Sequence, residues 1–142
     1  MDVRPVSMED IGSAVAMLAA AGLPISAAVA TARLAVSHAA DSPLIALVAV
    51  EDDGAVTGGV ALEVIPNLLE QRSVGRVLIM AVHPKHQRRG IGQRLMAEAE
   101  ALAWQSGCAR VEIVYGVNRA DAKRFFTSIG YRQVNARMVK NN

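Results

Sequence analysis

Cysteine is almost missing from this chain. Cys108 is the only one, so no internal disulfide can form, and a disulfide-stapled scaffold or a cysteine-built zinc site is excluded. Such usage fits a reducing compartment, and the expected location is cytoplasmic. Aromatic residues are scarce too: one Trp, two Tyr and two Phe, too few to interleave with basic residues as a stacking platform for single-stranded nucleic acid. Neither sign of charge dominates, because 15 Lys+Arg against 13 Asp+Glu leave a net charge of +2, and binding to a polyanion is not the default. Residues 11–32 lack charge altogether, yet they are alanine-rich, and Gly22-Leu23-Pro24 divides them into two pieces too short to cross a bilayer. Asp2, Glu9 and Asp10 stand where a secretion signal needs positive charge, so neither a signal peptide nor a membrane partner is expected. No internal repeat, low-complexity tract or linker is present.

What is present is a globular composition. Hydrophobic residues make up 52% and charged residues 20% of 142 positions, enough for one buried core, and residues 1–142 read as one domain. Residues 2–6 alternate as a short strand; Ser7 and Asp10 have capping-box spacing, and Ile11, Val15 and Leu18 recur at helical period until Gly22. Pro24 and Ser26 open a second helix to about residue 38, with Val29 and Leu34 or Val36 available to a core. Residues 44–51 and 56–65 form a predicted β-hairpin around Asp52-Asp53-Gly54, and residues 74–82 a third apolar strand. Residues 93–106 carry Leu95, Met96, Ala99, Leu102 and Ala103 on one helical face and stop at Gly107. A strand over 109–117 comes next, followed by a helix bearing Ala122, Phe125, Phe126 and Ile129 that ends at Gly130. A last strand from Tyr131 to about Val139 completes the order βααβββαβαβ.

The strongest local signal is Gln87-Arg88-Arg89-Gly90-Ile91-Gly92, between a predicted strand and a predicted helix. A glycine-rich loop opening a helix presents consecutive backbone N–H groups to an anion, and glycine lets a ligand approach the backbone closely. The pattern lacks the third glycine of a dinucleotide fingerprint, where Leu95 stands, and the Gly-Lys-Ser/Thr of a nucleotide P-loop. A glycine-rich connection with solvated arginines is the competing reading of the loop by itself.

The run from Val82 through His83-Pro84-Lys85-His86 to Gln93-Arg94-Leu95 resembles the acetyl-CoA loop of the GNAT family of N-acetyltransferases, whose core is Gln/Arg-x-x-Gly-x-Gly/Ala. A second block, Asn118 through Ala122 with Phe125-Phe126 and Gly130-Tyr131, is similar to that family's Asn-x-x-Ala, Phe-Tyr and Gly-Phe signature. Pro66-Asn67-Leu68 and Arg137-Met138-Val139-Lys140 look like a branch acting on small amines, with likeness to aminoalkylphosphonate N-acetyltransferases. The resemblance implies a GNAT-like α/β (α+β) fold: a twisted, mostly antiparallel mixed sheet of six to seven strands flanked by four helices. It also implies acetyl-CoA as cosubstrate, with its pyrophosphate on the amides of Gln87, Arg88, Arg89, Gly90, Ile91, Gly92 and Gln93. Met80, Ala81 and Val82 would lie along the pantetheine arm, the Met80 amide polarising the thioester carbonyl, and Asn118 and Phe125 would line the other side.

Two departures accompany these matches. The strand positions where the family often carries a glutamate base hold Arg76 and Leu78, and Phe126 stands where a tyrosine commonly protonates the leaving thiolate. Glu63 and Tyr115 are the candidate replacements, as base and acid. His83 and His86 have no third metal ligand nearby, so no metal is expected; His38 reads as a helix C-terminal cation, and Cys108 as core. Trp104, Phe125 and Phe126 read as core aromatics, and the Lys85, Arg88, Arg89, Arg94 cluster as a cofactor-phosphate site rather than a nucleic-acid one. The expected function is acetyl transfer from acetyl-CoA to a small-molecule amine by direct attack on the thioester, in a homodimer. A CoA-binding module without turnover is the alternative, and Arg33, Arg72 and Arg76 point to an anionic group on the acceptor.

Overall fold

The computed structural model describes residues 1–37, 42–113, 119–134 and 138–142. In chain order these form β1 (Asp2–Pro5), α1 (Ile11–Ala20), α2 (Ala27–Ser37), β2 (Leu44–Val50), β3 (Val56–Ile65), β4 (Ser73–Val82), α3 (Ile91–Gln105), β5 (Cys108–Ile113) and α4 (Ala120–Ser128). Short 3-10 turns at Met8–Asp10 and Pro84–His86 precede α1 and α3. The five strands lie side by side in chain order; β1 to β4 pair antiparallel, and β5 joins β4 parallel after the α3 crossover. Among the described residues no helix is long and apolar enough to cross a membrane.

Both sheet faces are covered, and the pleat sorts the residues between them. On one face Leu47, Ala49, Val60, Leu62 and Val77 meet Ile91, Leu95, Met96, Ala99 and Ala103 of α3. On the other, Val48, Val50, Val56 and Ala81 pack with Val6 and Met17, beside Leu18 and Leu34 of α1 and α2. Burial on two sides explains why β2 reads Leu-Ile-Ala-Leu-Val-Ala-Val with no polar residue. Gly58 lets α3 approach, since a Cβ there would stand 2.9 Å from both Ile91 Cγ2 and Leu95 Cδ1. Alanine-rich α2 contributes Ala30 and Leu34, while Val29, expected to face the core, is 49% exposed.

The sheet has five strands among the described residues, not six to seven, and the expected last strand is the reason. Neither 131–134 nor 138–142 is extended in a sheet; residues 135–137, like the end of the expected strand 109–117, lie outside the described residues. The chain leaving α4 is held by that helix instead. Tyr131 N–H donates to Phe126 O at 2.9 Å and Gly130 N–H to Thr127 O at 3.1 Å, with Gly130 at φ +100, a Schellman closure. The Tyr131 hydroxyl then donates to Glu100 of α3 at 2.6 Å. These bonds tie the chain to α3 and α4, and a groove of about 1210 Å³ follows the outer edge of β5. Trp104, expected in the core, is 49% exposed on its rim.

One partly buried ion pair joins the N-terminal strand to the turn that opens the first helix. Asp10 is 6% exposed and accepts four hydrogen bonds, from Arg4 Nη1 (2.7 Å) and Nη2 (2.9 Å), Ser7 N (2.7 Å) and Ser7 Oγ (2.9 Å). Chiefly the Arg4 guanidinium, with Ser7, holds its carboxyl down at about 2. A depressed carboxylate stabilises the fold above its unfolded pKa, near 3.9, and that stability is lost as pH falls towards 2. Asp10→Asn should therefore cost roughly 1.5–3 kcal/mol at pH 7. In urea titrations the gap between variant and wild type should close between about pH 4 and pH 2.

Candidate active site

The register of β4 against β3 breaks in one place. Ala61 pairs with Ile79 and Leu62 with Val77, leaving Leu78 without a partner on β3 and 41% exposed, a bulge that bends the strand. Pairing with β5 stops at the same level, with Val77 opposite Ile113, whereas β3 continues beside β4 as far as Val82. The described β4–β5 pairing thus ends at Ile113, the last described residue of β5. His83 N–H donates to Thr57 O of β3 at 2.8 Å. Because successive peptide groups point to opposite sides, Ala81 and Ile79 also face β3, and the Met80 and Val82 amides turn the other way, toward the side of β5.

Chain beyond β4 passes through the Pro84–His86 turn, whose start is capped by His83 Nδ1 accepting from Lys85 N at 3.1 Å, and enters the basic loop. Arg88 has φ +64 and Gly90 φ +78, so two left-handed residues separated by one curl the backbone. Arg88 is the only non-glycine residue with positive φ among the described residues, and such strain clusters at functional sites. The first bond of α3 runs from Arg94 N to Gly90 O. The six amides from Arg88 to Gln93 have no protein acceptor among the described residues, at the positive end of a 15-residue helix. That is an anion cradle made of backbone, with the side chains of Gln87, Arg88, Arg89 and Gln93 exposed around it.

A row of charge crosses the face of the sheet opposite α3. Leu62, Val64 and Val111 pack on the α3 side, and a Cβ at Gly75 would meet Ala103, so Glu63, Arg76 and Glu112 point the other way. Glu63 pairs in register with Arg76, and Arg76 with Glu112. Arg76 Nη2 stands 3.6 Å from Glu112 Oε2, and Arg110 binds both Glu112 (3.1 Å) and Glu70 (3.0 Å). Glu63, the expected base, has no ion pair or hydrogen bond among the described residues. Glu112 is a second carboxylate in the row. Its alternation with Val111 is visible in the sequence, but its place beside Arg76 follows only from the parallel register.

The acetyltransferase (GNAT) family model matches residues 22–131. The chain belongs to this family. An aminoalkylphosphonate N-acetyltransferase from Salmonella typhimurium is 32% identical over 88 residues, which span 62% of this chain and 57% of that protein. Among solved structures, a putative acetyltransferase from Agrobacterium tumefaciens superposes with a TM-score of 0.84 at 19% identity over 100% of both chains. A ribosomal-protein-alanine N-acetyltransferase from Brucella melitensis superposes at 0.81, also with 19% identity and 100% of both chains. At that identity the likeness is one of fold.

Within this GNAT domain the remaining expected residues separate into three groups. Tyr115 and Asn118, with His38, lie outside the described residues. Phe126, at the position of the family's tyrosine, is 8% exposed and packs edge-on to Phe125 (5.0 Å) and Tyr131 (5.7 Å), a core contact. Tyr131 offers no free hydroxyl, because it donates to Glu100, and burial together with that carboxylate pushes its pKa far up. Cys108 is fully buried with its thiol pKa raised by burial, the state of an inert core thiol. His83 and His86 meet edge to face at 5.6 Å, and no group of three metal-type ligands occurs among the described residues.

Gly92 needs a different account from the one its loop suggests. It is buried, and a Cβ there would lie 3.1 Å from Phe125 Cζ and 3.6 Å from Val82 Cγ2, so it admits the α4 aromatic rather than a ligand. Gly90 has open space on its Cβ side. Gly92→Ala should lower stability by about 1–3 kcal/mol through overpacking. Phe125→Leu in the same chain should recover part of that loss, which a double-mutant cycle of thermal unfolding would read as coupling.

Proposed function

We propose that this acetyltransferase moves the acetyl group of acetyl-CoA to the amine of a small molecule by direct attack. The observation that carries the reading is the run of six unpaired amides at the start of α3, one short turn after the end of β4. The amides of Gln87, Arg88, Arg89, Gly90, Ile91, Gly92 and Gln93 hold the pyrophosphate, and Met80, Ala81 and Val82 carry the arm along the strand. Asn118 and Phe125 belong to the same proposed site. The basic side chains add a screened attraction, small beside that of the backbone.

Acetyl-CoA supplies an activated acyl group: the acceptor nitrogen forms a C–N bond to the carbonyl carbon, the C–S bond breaks, and the departing thiolate ends as a thiol. The Met80 N–H, turned away from β3, donates to the carbonyl oxygen as negative charge develops on it. An ammonium acceptor must first lose a proton, and Glu63 is the proposed base; Tyr115 is the proposed donor to sulfur. With Phe126 in the core, protonation at sulfur rests on Tyr115 or water, a modest handicap because a thiol pKa of about 8.5 makes thiolate a tolerable leaving group. The buried free Cys108 supports a reducing location, and we propose the cytoplasm.

Gly90→Glu tests the cradle. The substitution should abolish CoA binding in calorimetry, by placing a carboxylate among the amides. Gly54→Glu is the control, since Gly54 has φ +86 and open space like Gly90 but sits in the β2–β3 turn. It should cost similar stability and leave affinity unchanged. Equal affinity in wild type and folded Gly90→Glu would refute the assignment.

The same reading includes a homodimer. Val134, Met138 and Val139 are 65%, 97% and 65% exposed and line the groove along the edge of β5, apolar surface that a second copy would cover. Sedimentation at micromolar concentration should show twice the 15.0 kDa chain mass, and a lone 15.0 kDa species would overturn it.

A further inference from the structure

The charged row on the sheet contains one buried N–H left unsatisfied, beside a partly exposed carboxylate without a protein partner among the described residues. Arg76 Nε is buried from solvent and has no hydrogen-bond partner, and the guanidinium has a single long contact, 3.6 Å to Glu112. Directly across the β3–β4 ladder stands Glu63, with no partner of its own among the described residues. A facing Arg and Glu would ordinarily bond to each other, and a buried N–H without an acceptor costs free energy. Here neither does, although the neighbouring Arg110 bonds to two carboxylates. Both groups lie next to the Leu78 bulge, on the face away from α3 and a few residues before Met80.

We infer that Arg76 and Glu63 together bind a zwitterionic acceptor, an amine with an oxyanion on the same short carbon chain. This rests on the acetyl-transfer reading above and names the acceptor class for it. Arg76 presents a planar fork that takes a carboxylate or phosphonate through two N–H groups, one of them the orphaned Nε. Glu63 receives the ammonium, which places a base beside the nitrogen that must lose a proton. Side chains facing across an antiparallel ladder are rooted about 5 Å apart, so the two ligand charges stand about three bonds from each other. Glu112 keeps the Arg76 side chain from collapsing onto Glu63. Neutral amines and diamines bring nothing for Arg76, and a diamine adds a repelled cation.

The test compares aminoethylphosphonate, β-alanine, ethanolamine and diaminopropane as acceptors, reading thiol release from acetyl-CoA. At least one oxyanion-bearing amine should exceed ethanolamine by 10-fold or more in kcat/KM, about the value of a charge-assisted hydrogen bond, and the first two probes separate phosphonate from carboxylate. Arg76→Gln should remove that advantage, and Arg76→Lys should restore part of it. Ethanolamine or diaminopropane matching the anionic amines, or Arg76→Gln depressing every acceptor alike, would overturn the inference. Titration of aminoethylphosphonate and β-alanine into the CoA-saturated protein supplies an arm independent of turnover. If CoA binds and neither probe does, the zwitterion assignment fails alone; if CoA itself does not bind, the cosubstrate reading fails. In that second case titration of the two probes into the free protein decides the Arg76 assignment, and no binding there ends it. Arg76→Lys serves in place of Arg76→Gln if the latter does not fold.

Discussion

Everything distinctive about this sheet depends on the register of β4, which pairs antiparallel with β3 as far as Val82 and, among the described residues, parallel with β5 as far as Val77. The break at Leu78 divides the strand into a part fixed from both sides and a part whose outward amides have no acceptor among the described residues. The bulge also sets direction, since past it the Met80 and Val82 amides turn away from β3 while the Ala81 side chain remains packed on the α1 side.

The anion cradle follows from the same strand. A short turn capped by His83 carries the chain from the end of β4 to the start of α3, and α3 is drawn onto the sheet by Leu95, Met96 and Ala99, all fully buried. Gly58 lets the helix sit close, and the helix N-terminus is thereby fixed near the end of β4. Six amides are left without protein acceptors because a helix cannot satisfy its own first turn. Backbone geometry, more than the surrounding arginines, makes the site basic.

Charge on the opposite face has a different origin. The sheet is covered on that side by two slim alanine-rich helices, which reach β2 and β3 but leave Glu63, Arg76 and Glu112 partly open. Their alignment comes from two registers, antiparallel on one side of Arg76 and parallel on the other. The fold accounts for the unpaired amides at the start of α3; this chain's own choice of residues accounts for an arginine flanked by two carboxylates.

Much of this was legible before any coordinates. Element order, the Asp52-Asp53-Gly54 hairpin, the α3 face and the Gln87 to Gly92 loop are local features, written in periodicity and turn chemistry within a few residues. Four points were not. The strand expected after Tyr131 is absent from the described residues, where α4 closes in a local Schellman motif and Tyr131 bonds to Glu100, a contact between residues 31 apart. Trp104 is exposed on the rim of the groove beside β5, where no strand lies among the described residues. Gly92 makes room for Phe125, a residue on another helix. Glu112 joins Arg76 through a parallel register that no local pattern encodes. The sequence by itself determined the elements and the loop that opens α3, because backbone preference and apolar period act at short range. Which side chains meet across the sheet, and which are left without partners, was decided only when the long-range registers brought distant segments together.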